Sequence, residues 1–291
     1  MSFTNIPMSL KISIIVPTYN SMFLLKQTLD SFKNQSIGKD HFEIIVVDDG
    51  SKDGSKYLVD EYRNIVDISY YYLEDKGFRL AAARNVGIHF AKYPVTLIFD
   101  CGMLASNALL EQHLKIHHDY HNGVVVGMSY GVEEFSMANA ASLAKVLDEN
   151  NLNNAFSFLR STARYNDCRF EAFSRVGFDL SNTKTSWVAC WGGHISCRTN
   201  ILRDLNGFDE WFDTWGGEDV ELAIRLHIKG CEFLTLQSME AIHVPHIRRE
   251  ENNINSSKEN IKYITGKHNY PDVALLENFG WEEIFNRGSM K

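Results

Sequence analysis

Five consecutive residues, Trp215-Gly216-Gly217-Glu218-Asp219, bring together an aromatic ring, two glycines and two carboxylates. They stand just ahead of a helical pattern running from Val220 to Ile228. Glycines let a backbone turn through positive φ or pass close to a ligand. Carboxylates in the first turn of a helix are favoured by its dipole. Adjacent acids at such a turn can act as a general base and a substrate-orienting group. An ordinary acidic helix start carries the same residues, so the rest of the chain decides between the two readings.

Three more polar clusters follow apolar runs. Ile12 to Val16 reads as a buried strand and leads into Pro17-Thr18-Tyr19-Asn20. Phe42 to Val47 leads into Asp48-Asp49-Gly50-Ser51, and Val95 to Phe99 ends at Asp100. A further strand is expected near Ile68 to Leu73 and another over Val124 to Met128. Helical spacing fills the gaps, from Phe23 to Phe32, up to about Arg63, and from Leu80 to Phe90. This alternation predicts an α/β fold with a mostly parallel central sheet covered by helices, Rossmann-like in its nucleotide half. Ligands of such sheets sit at the carboxyl ends of the strands, where these clusters fall.

Composition narrows the function. The chain has 291 residues, 44% hydrophobic, enough for a sizeable core. Its formal net charge is -8, and Arg248-Arg249 is its one short basic block, so nucleic acid is not expected as a partner. The 5 cysteines are odd in number and lack CxxC spacing, which signals neither a disulfide framework nor a zinc site. No secretory leader and no membrane span are read from the sequence, and a reducing, cytoplasmic location is expected.

The chain resembles inverting family-2 glycosyltransferases with the GT-A fold. The resemblance rests on Ile14-Ile15-Val16-Pro17-Thr18-Tyr19-Asn20, on Val46-Val47-Asp48-Asp49-Gly50-Ser51, and on Gly77-Phe78-Arg79 continuing to Arg84-Asn85-Val86-Gly87. Gly207-Phe208-Asp209-Glu210 and the Trp215 to Glu221 stretch look like the galactosyltransferase and chondroitin-polymerase branch. It covers about Lys11 to His246.

The resemblance implies that a hexose moves from a UDP-sugar to an acceptor hydroxyl with inversion. Pro17, Tyr19 and Asn20 would line the nucleotide site, and Asp49 would accept the uracil imide N–H. Arg84 would brace the Asp49 region or the diphosphate, as a planar cation can. Asp219 would be the general base, with Glu218 orienting acceptor or donor. Trp215 would stack on a sugar face, and Gly217 would permit close approach. Trp191 and Gly192 would belong to a donor-sugar loop, although core packing serves Trp191 equally well.

Asp100 would begin the family's Asp-X-Asp motif, which holds Mn²⁺ or Mg²⁺ against the diphosphate. Gly102 stands where the second acid belongs. Three outcomes stay open: Asp100 binds metal with help from His243 or His246, a cation or helix dipole replaces the metal, or the site is dead. The last is the alternative function, a decayed sugar-nucleotide-binding protein.

A single catalytic domain over 1–291 is expected. Its nucleotide half would be about 11–130, a helical insertion about 131–180, and the acceptor half about 181–250. Residues 251–291 would form a lid and a helical tail, with a last helix over Val273 to Phe285 that docks on the body or makes a homodimer. Arg160, Arg164, Arg169 and Arg175 read as a solvated face, or as contacts to an anionic acceptor or the diphosphate. His113, His117 and His118 follow helical spacing in part, a weak signal for a metal site, and read rather as exposed or capping. A polysaccharide, a lipid-linked sugar, a peptide and a small natural product all remain open as acceptors.

Overall fold

A computed structural model describes Pro7 and residues 9–131, 137–149, 151–162, 165–245 and 250–289. The first half alternates as expected: β1 (Ile12–Thr18), α1 (Met22–Phe32), β2 (Phe42–Asp48), α2 (Ser55–Tyr62), β3 (Ile68–Tyr72), α3 (Leu80–Phe90) and β4 (Val95–Phe99). Every residue of β1, β2 and β4 is buried, which is why they read as unbroken apolar runs. Ile12, Ile14 and Val16 pack with Leu25, Leu29 and Phe32 of α1, whereas Ile15 packs with Ala81 and Ile88 of α3. Successive side chains thus feed cores on opposite faces of the sheet. Glu43, the acid inside β2, accepts from Ser13 Oγ at 2.7 Å and meets Lys92 Nζ at 2.9 Å, so its buried charge is matched.

The second half contributes β5 (Met103–Ala105), α4 (Leu109–Asp119), β6 (Gly123–Val126) and β7 (Met128–Tyr130). Three helices follow, α5 (Met137–Glu149), α6 (Leu152–Ser161) and α7 (Phe170–Arg175), in the stretch expected as a helical insertion. Then come β8 (His194–Arg198), α8 (Thr199–Asp204), α9 (Glu218–Ile228), β9 (Glu232–Leu234), β10 (Glu240–His243), α10 (Glu250–Lys267) and α11 (Trp281–Ser289). The main sheet has seven strands in the order β3-β2-β1-β4-β8-β6-β9, and a second sheet runs β5-β10-β7. All neighbours in the main sheet are parallel except β8, which is antiparallel to β4 and β6. The chain builds outward from β1 through β2 and β3, then returns to place β4 on the other side. That reversal opens a crevice at the carboxyl ends of β1, β2 and β4.

Two expectations are corrected. The strand read over Val124 to Met128 is two strands. The chain passes the His194 ring at Gly127 and changes sheets, so that Met128 pairs with Glu240 of β10. The helix read over Val273 to Phe285 is a short 3₁₀ turn, Val273–Glu277, followed by α11. The break separates two apolar duties: Ile284 and Phe285 are fully buried, while Phe279 and Trp281 turn toward the crevice. No helix among the described residues is long and apolar enough to cross a membrane.

Candidate active site

At the carboxyl ends of β1 and β2 lies a cavity of about 360 Å³, walled by Pro17, Tyr19, Asp49, Phe78 and Cys101 among others. The two adjacent aspartates divide their work. Asp48 shapes the turn, accepting from the Gly50 and Ser51 N–H groups at 3.1 and 2.7 Å and from the Tyr70 hydroxyl at 2.7 Å. Asp49 faces the cavity, and burial pushes its pKa up while Arg79 pulls against that rise. The Arg79 backbone N–H donates to Asp49 Oδ2 at 2.9 Å and its Nη2 to Oδ1 at 2.9 Å.

Arg79, not Arg84, therefore braces Asp49. Both belong to one motif, but Arg79 caps α3 beside the loop and Arg84 lies one turn inside it. Asn20 also departs from its expected place. Its side-chain oxygen accepts the Lys52 N–H at 2.9 Å and its own N–H donates to Ser51 Oγ at 2.7 Å. It ties the two loops together and does not line the cavity. Tyr19 is half exposed, with its hydroxyl 3.2 Å from Asp75 Oδ2.

Leu80 and Asp100 line this cavity and also a second one of about 420 Å³, which reaches the Trp215-to-Asp219 turn. Arg84, only 2% exposed, is the hub between the two halves of the chain. Its Nη1 donates to Glu218 Oε1 at 2.9 Å, and its Nη2 reaches Asp100 Oδ1 at 3.0 Å. The guanidinium lies 5.0 Å over the Phe208 ring. The two carboxylates hold it firmly protonated against the cost of burial.

Gly217 starts α9 in the left-handed region, φ 99°, and that turn aims Glu218 and Asp219 into the second cavity. A Cβ there would lie 3.1 Å from Ile264 of α10 and 3.4 Å from Phe212, so the close approach is to protein. Asp219 Oδ2 accepts the Gly192 N–H at 2.9 Å and Oδ1 accepts its neighbour Val220's N–H at 2.7 Å. Gly192 also makes room for Arg84, since a Cβ would fall 2.8 Å from Nη1. Burial raises the pKa of both acids, and Glu218, with Asp219 beside it, is pushed up to about 7. Glu218 Oε2 is buried with no hydrogen-bond partner.

Asp100 and His243 line this same cavity, with His243 opposite Met103 where β10 pairs with β5. His246 lies outside the described residues. Among the described residues no group of three or more His, Cys, Asp or Glu side chains gathers as a metal site. Asp100 offers this cavity one oxygen donor and His243 one nitrogen donor, so a divalent cation there would draw most of its ligands from a bound diphosphate and water.

The described arginines of the insertion are paired. Arg160 pairs with Glu240 at 2.8 Å, and Arg169 with Asp167 at 2.7 Å. Arg175 pairs with Glu282. Arg164 lies outside the described residues. His113 and His117, read as exposed or capping, are fully buried on α4. His113 sits 2.8 Å from Ser196 Oγ and 3.0 Å from His194 Nε2, and His117 2.7 Å from Ser196 Oγ. Burial lowers all three pKa values, that of His194 to about 3, which keeps the group neutral. His118 is partly exposed beside Asp119.

Trp191 lies edge-on to Trp281, ring centroids 5.3 Å apart, and Trp215 is half exposed at the cavity rim. Sequence reasoning missed Asn260 as well. Buried on α10, it donates to the Gly216 carbonyl at 2.6 Å and so holds the Trp215-Gly216-Gly217 turn. Nothing local marks an asparagine in a polar helix for that role.

The family profile described as "Glycosyl transferase family 2" matches residues 13–179. One described as "N-terminal domain of galactosyltransferase" matches residues 173–250. A validoxylamine A glucosyltransferase of Streptomyces hygroscopicus subsp. jinggangensis (strain 5008) is 32% identical over 278 residues, 95% of this chain and 64% of that protein. A chondroitin synthase of Pasteurella multocida (strain Pm70) is 32% identical over 238 residues, 80% of this chain and 24% of that protein. The chain thus spans less than two thirds of the length of these relatives. Staphylococcus aureus TarS 1-349 in complex with UDP shares the fold at TM-score 0.61 and 19% identity, covering 94% of this chain and 68% of that one. A Pyrobaculum calidifontis mannosyltransferase in complex with GDP-Man and Mn²⁺ does so at TM-score 0.61 and 16% identity, covering 96% of this chain and 69% of that one.

Proposed function

The chain belongs to glycosyl transferase family 2, and from that premise we propose that it transfers a hexose from a UDP-sugar to an acceptor hydroxyl with inversion at the anomeric carbon. One observation carries the reading. The Asp219 carboxylate, held by two backbone N–H groups, opens into a cavity that meets the Asp49 cavity at Asp100. A nucleotide at one end and an activated hydroxyl at the other would share that boundary.

The uracil lies between Pro17 and Tyr19, with its imide N–H on Asp49 and Arg79 setting the carboxylate's orientation. Asp219 takes the proton from the acceptor hydroxyl as that oxygen attacks C1 from the face opposite the leaving UDP. Two of its lone-pair sites hold backbone N–H groups, and a carboxylate has others to offer. Arg84 is a positioning residue that fixes Glu218 and Asp100 on either side of the sugar. Asp100 and His243 would hold Mn²⁺ or Mg²⁺, which when bound neutralises charge on the diphosphate. The unit is a single catalytic domain, with a nucleotide half over about 11–130 and an acceptor half over about 181–250.

Calorimetric titration with UDP and a panel of UDP-sugars, with and without Mn²⁺, tests the reading. UDP binds the wild type. Asp49→Ala weakens binding about tenfold or more, the worth of a hydrogen bond to a charged group. Unchanged affinity in that variant removes Asp49 from the base site, and absence of any uridine-nucleotide binding sinks the function.

The acids also set a pH dependence. Glu218 holds its proton up to about pH 7, because burial disfavours its charge and Asp219 repels it. As pH falls through that value Glu218 becomes neutral, and Asp219 loses a neighbouring negative charge that makes it more basic. The profile of kcat/KM therefore falls on the acid side with a limb near pH 7. Glu218→Gln removes that limb and leaves only the one belonging to Asp219. An unmoved limb in the variant shows that Glu218 is not the titrating group.

A further inference from the structure

Resting on Asp219 as the base, we propose that Arg169 is a positioning residue for the transfer step: it holds the segment from Ala189 to His194 so that the Gly192 N–H sets the Asp219 carboxylate. Asp219 has two backbone partners. The Val220 N–H belongs to its own neighbour and moves with it. The Gly192 N–H comes from 27 residues away and fixes the carboxylate relative to the rest of the cavity wall. Whatever places Gly192 therefore places the base.

Arg169 stands just ahead of α7 and is 3% exposed. Its guanidinium holds the segment at three points. Nη1 donates to the Ala189 carbonyl at 2.8 Å, where the segment begins. The planar cation lies 4.7 Å over the Trp191 ring, next to Gly192. Nη2 donates to the Gly127 carbonyl at 2.9 Å, and the Gly127 N–H donates in turn to the carbonyl of His194 at 2.9 Å, where the segment ends.

Asp167 aims this fork. It accepts from Arg169 Nε and Nη2 at 2.9 and 2.7 Å, and from the Arg169 and Ser129 N–H groups at 2.9 and 2.8 Å. Asp167 is itself buried, and it keeps Arg169 protonated against the cost of burial. A buried ion pair alone is weak evidence for stability, because desolvation offsets the attraction. Here the guanidinium also serves two backbone carbonyls and an aromatic face, all on or beside one loop of the cavity wall. A compact ammonium can keep the pair with Asp167 but has no planar fork to reach Ala189 and Gly127 as well. The stretch that the sequence marks as an insertion thus reaches the base through one side chain.

The test uses the full chain. UDP release is followed with UDP-glucose, UDP-galactose and UDP-N-acetylglucosamine, with water and with methyl glycosides as acceptors. Turnover is expressed per UDP site titrated by calorimetry, so unfolded protein does not count. Arg169→Lys is expected to lower turnover per site about 10–10²-fold, the scale for a small misplacement of a reacting group, with the Kd for UDP held within about threefold. In the Asp219→Asn background the same change should cost at most about threefold more, because a residue that acts through the base has nothing left to position. A merely structural arginine would cost as much in either background. Where Arg169→Lys gives no folded protein, Asp167→Asn with Arg169→Gln removes both buried charges together and is read in the same way. Unchanged turnover per site, losses that multiply in the combined variant, or a UDP Kd that rises in step with the lost turnover each overturns the proposal. If Asp219→Asn lowers turnover and Arg169→Lys does not, Arg169 alone is disproved. If Asp219→Asn leaves turnover intact, the assignment of the base falls and this inference falls with it.

Discussion

Asp219→Asn lowers the turnover of sugar transfer by about 10²–10⁴-fold, the usual contribution of a positioned general base, and leaves UDP affinity within about threefold. The amide is nearly isosteric with the carboxylate, so of the Gly192 and Val220 N–H groups that hold Asp219 at 2.9 and 2.7 Å, one on each oxygen, one keeps its acceptor and the other meets the new NH2. What is lost is the ability to accept a proton. The proposed uridine end, at Asp49, is built from different strands and does not depend on that charge. Rates of UDP release with acceptor, set against calorimetric Kd values for UDP, separate the two effects. Equal loss of binding and turnover defeats the assignment of Asp219 as base, and full activity in the variant moves that role to Glu218.

Arg84→Met costs about 3–5 kcal/mol of folding stability, the scale for breaking a buried ion pair by removing one partner. Arg84 is 2% exposed, and Glu218 beside it is also buried. The deletion leaves a buried Glu218 with no cation and frees Asp100 from the contact that positions it at the junction of the two cavities. Methionine fills much of the volume but offers neither Nη group. Arg84→Lys recovers little, because one ammonium cannot reproduce the fork that reaches both acids. Urea midpoints of the two variants, read with their pH–rate profiles, check this. A midpoint like that of the wild type contradicts the hub role, as does an acid limb that stays near pH 7 when burial alone is left to act on Glu218.

The nearest neighbours in sequence were the most legible. The β-branched runs of β1, β2 and β4 are buried on both faces, so hydropathy alone marks them, and their polar ends mark the crevice. Glycine at 217 ahead of two acids is a local signal too, because one residue's φ aims both carboxylates. The resemblance carried in Pro17 to Asn20, Asp48 to Ser51 and Trp215 to Asp219 therefore pointed toward the two cavities before any contact was known.

Which polar groups meet is a different kind of fact. Arg79 and Arg84 stand five residues apart in one motif, yet one serves Asp49 and the other joins Asp100 to Glu218, 134 residues away in the chain. His113 and His117 look like surface residues until β8 inserts antiparallel between β4 and β6 and brings His194 and Ser196 against α4. Asn260 and Trp281 become parts of the site only because α10 and α11 dock there. Apolar periodicity is a property of each segment and survives in one dimension. The pairing of buried charges and hydrogen bonds depends on partners set by long-range packing, so the tertiary structure alone decided how these side chains are wired to one another.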